Sequence, residues 1–202
     1  MTKTIKTLSE AECEQIFLTQ NKIYNSPLTN QKHIRNRAMI KLMLETGLRV
    51  GELVKLEILD LFRNLEPVNW LHVRREIAKN KTPRDIPLSG TARSTIFEMY
   101  HNIWFFYCLQ PSDPAFCGPN PHKAITARQV ERIVKEIGLL ALKADIYPHM
   151  LRHTFATRIL RTSNVRIVQQ LLGHKRIATT QLYTHPNNQD LRDAINRAEP
   201  AL

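Results

Sequence analysis

His149 and Arg152 stand three residues apart, so on a helix both side chains leave the same face about one turn apart and can address one anion together. A guanidinium is always charged and presents a fork of donors matched to two phosphate oxygens, whereas an imidazole takes up or gives up a proton near neutral pH. Taken alone, the pair reads first as a helix that happens to begin with polar residues. His149 and His153 also have the i, i+4 spacing of a metal-binding helix, with His174 and His185 available to complete a site. Against that reading, Met150 stands where a zinc hydrolase needs its glutamate, and Arg152 repels a cation. Phosphate chemistry is the better fit, and neither a metal nor another cofactor is expected.

The elements that must position this pair are legible nearby. Pro148 occupies a favoured first helical position, and a shorter helix is predicted from Val165 to Leu172, closed by Gly173. His174 follows directly, nine residues ahead of Tyr183. Upstream, Ile34, Ala38, Met39, Leu42 and Met43 recur at helical spacing, with Gly47 at the C-terminal cap. A short helix predicted over Gly51–Leu56 starts almost at once, which leaves Arg49 in a tight helix–helix corner where backbone amides point outward. Such a corner suits an anion.

Ser9 with Glu12 and Thr126 with Gln129 are capping boxes that open two further helices. Alternation between Leu61 and Leu88 predicts a small antiparallel sheet with Lys79–Arg84 as its turn. Ser89–Leu109 predicts a helix with Ile96, Phe97, Tyr100, Ile103 and Trp104 toward the core, followed by a proline-rich loop from Pro111 to Pro121. Gln189–Ala198 predicts a last amphipathic helix. The expected fold is mainly α with a small antiparallel β-sheet, an α+β single domain over residues 1–202 in which residues 1–28 are a lead-in helix and turn.

With 29 Lys and Arg against 18 Asp and Glu, the chain carries a net charge of +11 and a pI near 9.9, which favours a polyanionic partner. From His122 to Tyr183 eleven Lys and Arg meet only Glu131, Glu136 and Asp145, so the C-terminal half holds the electrostatic footprint. Cys13, Cys108 and Cys117 are odd in number and lack CxxC spacing, which excludes a disulfide framework or zinc ribbon. No apolar run suits a signal peptide or a membrane span, and a cytoplasmic protein is expected.

Three strings occur in order: TGLRVGEL (Thr46–Leu53), HMLRHTFAT (His149–Thr157) and LLGHKRIATTQLYTH (Leu171–His185). Together they resemble the tyrosine recombinases and phage-type integrases, over nearly the whole chain from Ser9 onward. The resemblance implies that Arg49 and Arg152 hold a scissile DNA phosphate, that His149 and His174 also contact it, and that Tyr183 attacks it. Lys79 is implied as the sixth member, eight residues ahead of Pro87, with Lys81 its competitor. Glu52 matches an acidic family position; it orients an arginine or serves as a helix-start acid. Double-stranded DNA is the implied partner, with assembly into dimers or tetramers on it and a tail over 187–202 that packs on its own chain or on a neighbouring protomer. Only about 30 residues precede the helix leading to Arg49, so the usual N-terminal DNA-clamp domain is expected to be absent, in a chain the size of the fimbrial invertases.

These six groups suffice for strand transfer. Attack on a phosphodiester piles negative charge on its nonbridging oxygens, which the arginines and a histidine answer. A tyrosine ordinarily keeps its proton until about pH 10, so it must lose it on attacking, and His149 is the natural acceptor. Lys79 can protonate the leaving deoxyribose oxygen. The resulting 3′-phosphotyrosine ester conserves the bond energy, so a DNA hydroxyl reseals the strand without ATP. The alternatives are a type IB topoisomerase-like relaxing enzyme and a non-catalytic helix-turn-helix regulator.

Overall fold

The computed structural model describes residues 6–23, 30–79 and 81–173; His174, Tyr183 and the predicted tail helix lie outside the described residues. Helix α1 (Glu10–Ile23) opens on the predicted capping box: the Ser9 N–H donates to Glu12 Oε2 at 2.7 Å and the Glu12 N–H to Ser9 Oγ at 3.2 Å. Helix α2 (Asn30–Thr46) is apolar on more than one side, and Ile34, Ala38, Met39, Ile40, Leu42, Met43 and Leu44 are all buried. Only a helix enclosed by others tolerates that pattern. Around it pack α5 (Gly90–Met99) and α7 (Pro148–Thr162), while α6 (Ala127–Leu142) packs against α1.

Between α2 and α5 run two short helices, α3 (Val50–Leu53) and α4 (Ile58–Leu61), and two antiparallel hairpins. Strand β1 (Phe62–Arg63) pairs with β2 (Glu66–Pro67), and β3 (Trp70–Val73) with β4 (Arg84–Pro87). In the second hairpin Leu71 lies opposite Ile86 and Val73 opposite Arg84, all on the buried face, while His72 and Asp85 meet on the exposed one. Arg84 thus belongs to a strand and not to the predicted turn, which runs over 74–83. That turn is pinned at its base: Arg74 Nη2 donates to Asp60 Oδ2 at 2.9 Å and approaches Glu57 Oε1 at 3.0 Å, and Ile77 and Ala78 are buried.

Two predicted helices differ in detail. The one placed over Gly51–Leu56 is Val50–Leu53, because beyond it the Lys55 and Leu56 N–H groups donate only three residues back, to the Glu52 and Leu53 carbonyls at 3.1 and 3.2 Å, which makes a turn in place of an α-helix. The one placed over Ser89–Leu109 is α5 followed by a π-helical turn, Tyr100–Trp104. Widening the turn buries Ile103 and Trp104 side by side, lets Trp104 Nε1 donate to the Ala115 carbonyl at 3.0 Å, and leaves Phe97 half exposed. No helix among the described residues is long and apolar enough to cross a membrane.

Helix α8 (Val165–Leu172) begins at Asn164, whose side chain accepts from the Ile167 N–H, and ends at Gly173 with φ +63°. Gly47 ends α2 with the same left-handed conformation, and a Cβ there would run into the Phe155 ring and come within 2.9 Å of Leu172. Phe155, Ala156, Val168 and Leu172 form the small apolar cluster that joins α7 to α8. Gly47→Ala therefore meets both a conformational and a steric penalty, and a loss of about 2–4 kcal/mol in denaturant unfolding is expected. An unchanged unfolding midpoint would show that the corner has slack.

Candidate active site

Arg49 is the N-cap of α3, in an extended conformation with φ −74° and ψ 149°. Its own N–H donates to Glu52 Oε2 at 3.0 Å and its Nη1 to Glu52 Oε1 at 3.0 Å. Glu52 is 1% exposed, and from its other side Arg84 grips the same two oxygens, Nη2 to Oε2 at 2.7 Å and Nη1 to Oε1 at 3.1 Å. Burial alone would raise the Glu52 pKa. The hydrogen bonds and charge of Arg84, then those of Arg49, outweigh it and bring the carboxyl down to about 2. Glu52 is thus an arginine-orienting residue, one of the two readings its position allowed, and as N3 of α3 it also bonds back to the cap.

Arg152, 2% exposed on α7, reaches the ends of two other helices: Nη1 donates to the Gly47 carbonyl at 2.5 Å and Nη2 to the Leu172 carbonyl at 2.7 Å. One turn earlier, His149 is exposed at the start of the same helix. Its pKa is held below the ordinary histidine range, first by partial burial and then by the positive charges of Arg152, Lys79 and Arg49, with Glu131 opposing. Charges on α7, the β3–β4 turn and the α2–α3 corner therefore all act on one imidazole. His153 lies on the inner side, its ring centroid 6.3 Å from that of His149 and its pKa held at about 4 by burial, then by His149 and Arg152.

Lys79 is exposed at the crest of the turn, anchored from behind by buried Ile77 and Ala78, whereas Lys81 has φ +52° two residues on. The structure thus brings Arg49, Lys79, His149 and Arg152 together; His174 and Tyr183 lie outside the described residues. A guanidinium pair, an ammonium and a neutral imidazole can hold a phosphodiester and move protons on either side of it. The residue that sequence reasoning missed is Arg84. Its signal was a charge in phase with Ile86 on the inward face of a strand.

Glu52 also makes stability pH-dependent. Its folded pKa, about 2, is depressed below the ordinary glutamate value of about 4.5, so its contribution is complete above about pH 4.5 and is lost as pH falls toward 2. Glu52→Gln leaves Arg84 buried without its counter-charge and is expected to cost about 3–5 kcal/mol. Its unfolding free energy should also lose the wild-type component between pH 4.5 and 2, measured by urea titration at several pH values. Parallel profiles for the two proteins would contradict the assignment.

Residues 6–190 match the model of the phage integrase family. Tyrosine recombinase XerC of Azotobacter vinelandii is 36% identical over 171 residues, covering 82% of this chain and 53% of that protein. XerC of Vibrio vulnificus is 37% identical over 172 residues, covering 83% and 51%. The chain thus spans about half the length of these curated relatives. Among solved structures, XerA recombinase superposes with a TM-score of 0.72 at 27% identity, over 97% of this chain and 66% of that one. A pre-cleavage complex of XerH site-specific recombinase bound to difH substrate gives 0.74 at 25% identity, over 98% and 56%. On the family match along residues 6–190 and the identity to these recombinases, this chain belongs to the phage integrase family of tyrosine recombinases.

Proposed function

We propose that the chain is a site-specific DNA recombinase that cuts and rejoins double-stranded DNA through a 3′-phosphotyrosine intermediate. The observation that carries this reading is that the charges of Arg152, Lys79 and Arg49, from three separate elements, all act on His149 and, with its partial burial, favour the neutral form a proton acceptor needs. Arg49 and Arg152, with His174, hold the scissile phosphate and answer the charge that builds on it. The Tyr183 hydroxyl attacks phosphorus and passes its proton to His149. As the bond to the 5′ oxygen breaks, Lys79 gives that oxygen a proton, and the products are a phosphotyrosine ester and a free 5′ hydroxyl. Rejoining runs the same transfers in reverse, with the 5′ hydroxyl of a second strand as attacker.

Lys79 is favoured over Lys81 because its charge reaches His149 and its turn is anchored by buried residues. The recombinase reading is favoured over a relaxing enzyme or a non-catalytic regulator by the relatives, which are named tyrosine or site-specific recombinases. A single catalytic domain that assembles as dimers or tetramers on DNA completes the proposal.

A nicked suicide duplex cut from DNA flanking the gene traps the intermediate. The wild-type chain should give a covalent protein–DNA band that resists boiling in detergent, and Tyr183→Phe should bind the duplex but form none. Adduct formation by Tyr183→Phe would remove Tyr183 from its role. The rate should also report His149. With DNA below saturation the pH profile reflects the free enzyme, and since His149 must be neutral to accept a proton, cleavage should stay level down through pH 7 and fall only below the ordinary histidine pKa of about 6.5. A midpoint above pH 7 would contradict a lowered His149 pKa.

A further inference from the structure

Every nitrogen of the Arg84 guanidinium is committed: Nη1 and Nη2 to Glu52, at 3.1 and 2.7 Å, and Nε to the Leu171 carbonyl at 2.8 Å. Its fork is spent on the Glu52 carboxylate, which also neutralises its charge, so it acts within the protein. Its three attachments lie far apart in sequence. Glu52 belongs to the corner and shares its oxygens with Arg49. Leu171 belongs to the end of α8, three residues before His174 in the sequence. Arg84 itself starts the strand that leaves the Lys79 turn. The main chain also passes directly over its aliphatic part, since a Cβ at Gly173 would stand 3.1 Å from Arg84 Cδ.

A buried ion pair is a weak source of stability, because the cost of desolvating two charges consumes most of their attraction. What a fully engaged guanidinium supplies is geometry, since its planar fork fixes direction as well as distance. We propose that Arg84 is a positioning residue for strand cleavage, holding the Arg49 corner, the Lys79 turn and the end of α8 in one fixed relation. It rests on the strand-transfer function proposed above. A lysine at this place keeps the charge, but its donors all radiate from one nitrogen and cannot span both Glu52 oxygens and the Leu171 carbonyl as the planar fork does, so it preserves the ion pair and loses the three-way lock.

The test separates geometry from folding and binding, using the full chain and the same nicked suicide duplex. Arg84→Lys should remain folded and bind the duplex within about threefold of wild type, while its single-turnover cleavage falls about 100-fold, the scale expected of a sub-ångström to 1 Å misplacement. Arg84→Ala opens a space the shape of ethylguanidinium. Adding that compound should restore cleavage about tenfold or more, and ethylammonium, which lacks the fork, should not. Cleavage by Arg84→Lys within threefold of wild type, or a parallel fall in binding and cleavage, overturns the inference. Should Arg84→Ala fail to fold, the Arg84→Lys comparison decides alone. A wild-type chain that forms no adduct is a different failure, seen before any variant is made: it removes the strand-transfer reading, and this inference with it.

Discussion

The carboxylate of Glu52, 1% exposed and shared by two guanidiniums, is the constraint on which the rest of the site depends. A lone carboxylate so deeply buried would be protonated or would pull the structure open toward water. Here Arg84 and Arg49 together overcompensate it, leaving the trio with a net positive charge. Because each of its oxygens accepts from both arginines, the carboxylate has little freedom to rotate. The helix corner that carries Arg49 therefore inherits its placement from a strand more than thirty residues away.

A second strap lies beside the first. Arg152 spans from α7 to the carbonyls that end α2 and α8, so the end of α8 is held by two different arginines. The left-handed glycines at 47 and 173 make this possible: each turns the chain away as its helix ends, and neither has room for a side chain without disturbing Phe155 or Arg84. His149 sits above this strapped base. Partial burial, and then the positive charges of Arg152, Lys79 and Arg49, favour its unprotonated form.

Much of this was legible in the sequence, and what was legible was local. The Ser9–Glu12 and Thr126–Gln129 boxes, Pro148 at a helix start, and Gly47 and Gly173 at helix ends are decided by residues within a few positions of one another. The pairing of His149 with Arg152 followed from helical spacing alone. Arg84 was not legible, because its partners lie 32 and 87 residues away and a charged residue at a strand start ordinarily reads as solvated. The π-helical turn escaped for the same reason: its benefit, the Trp104 bond to the Ala115 carbonyl, depends on how the following loop returns. Lys79 and Lys81 could not be separated by counting, since what distinguishes them is the buried support behind the turn.

The carbonyls that Arg152 holds, those of Gly47 and Leu172, belong to the main chain. No side-chain replacement can delete an acceptor that every amino acid carries. Drift at Leu172 can therefore alter packing while leaving the bond intact, and the strap fails only through Arg152 itself or through a change in the path of the backbone. What can be revised is thereby separated from what cannot: side chains along the contact are free to change, while Arg152 and the two left-handed glycines that set the backbone path are not.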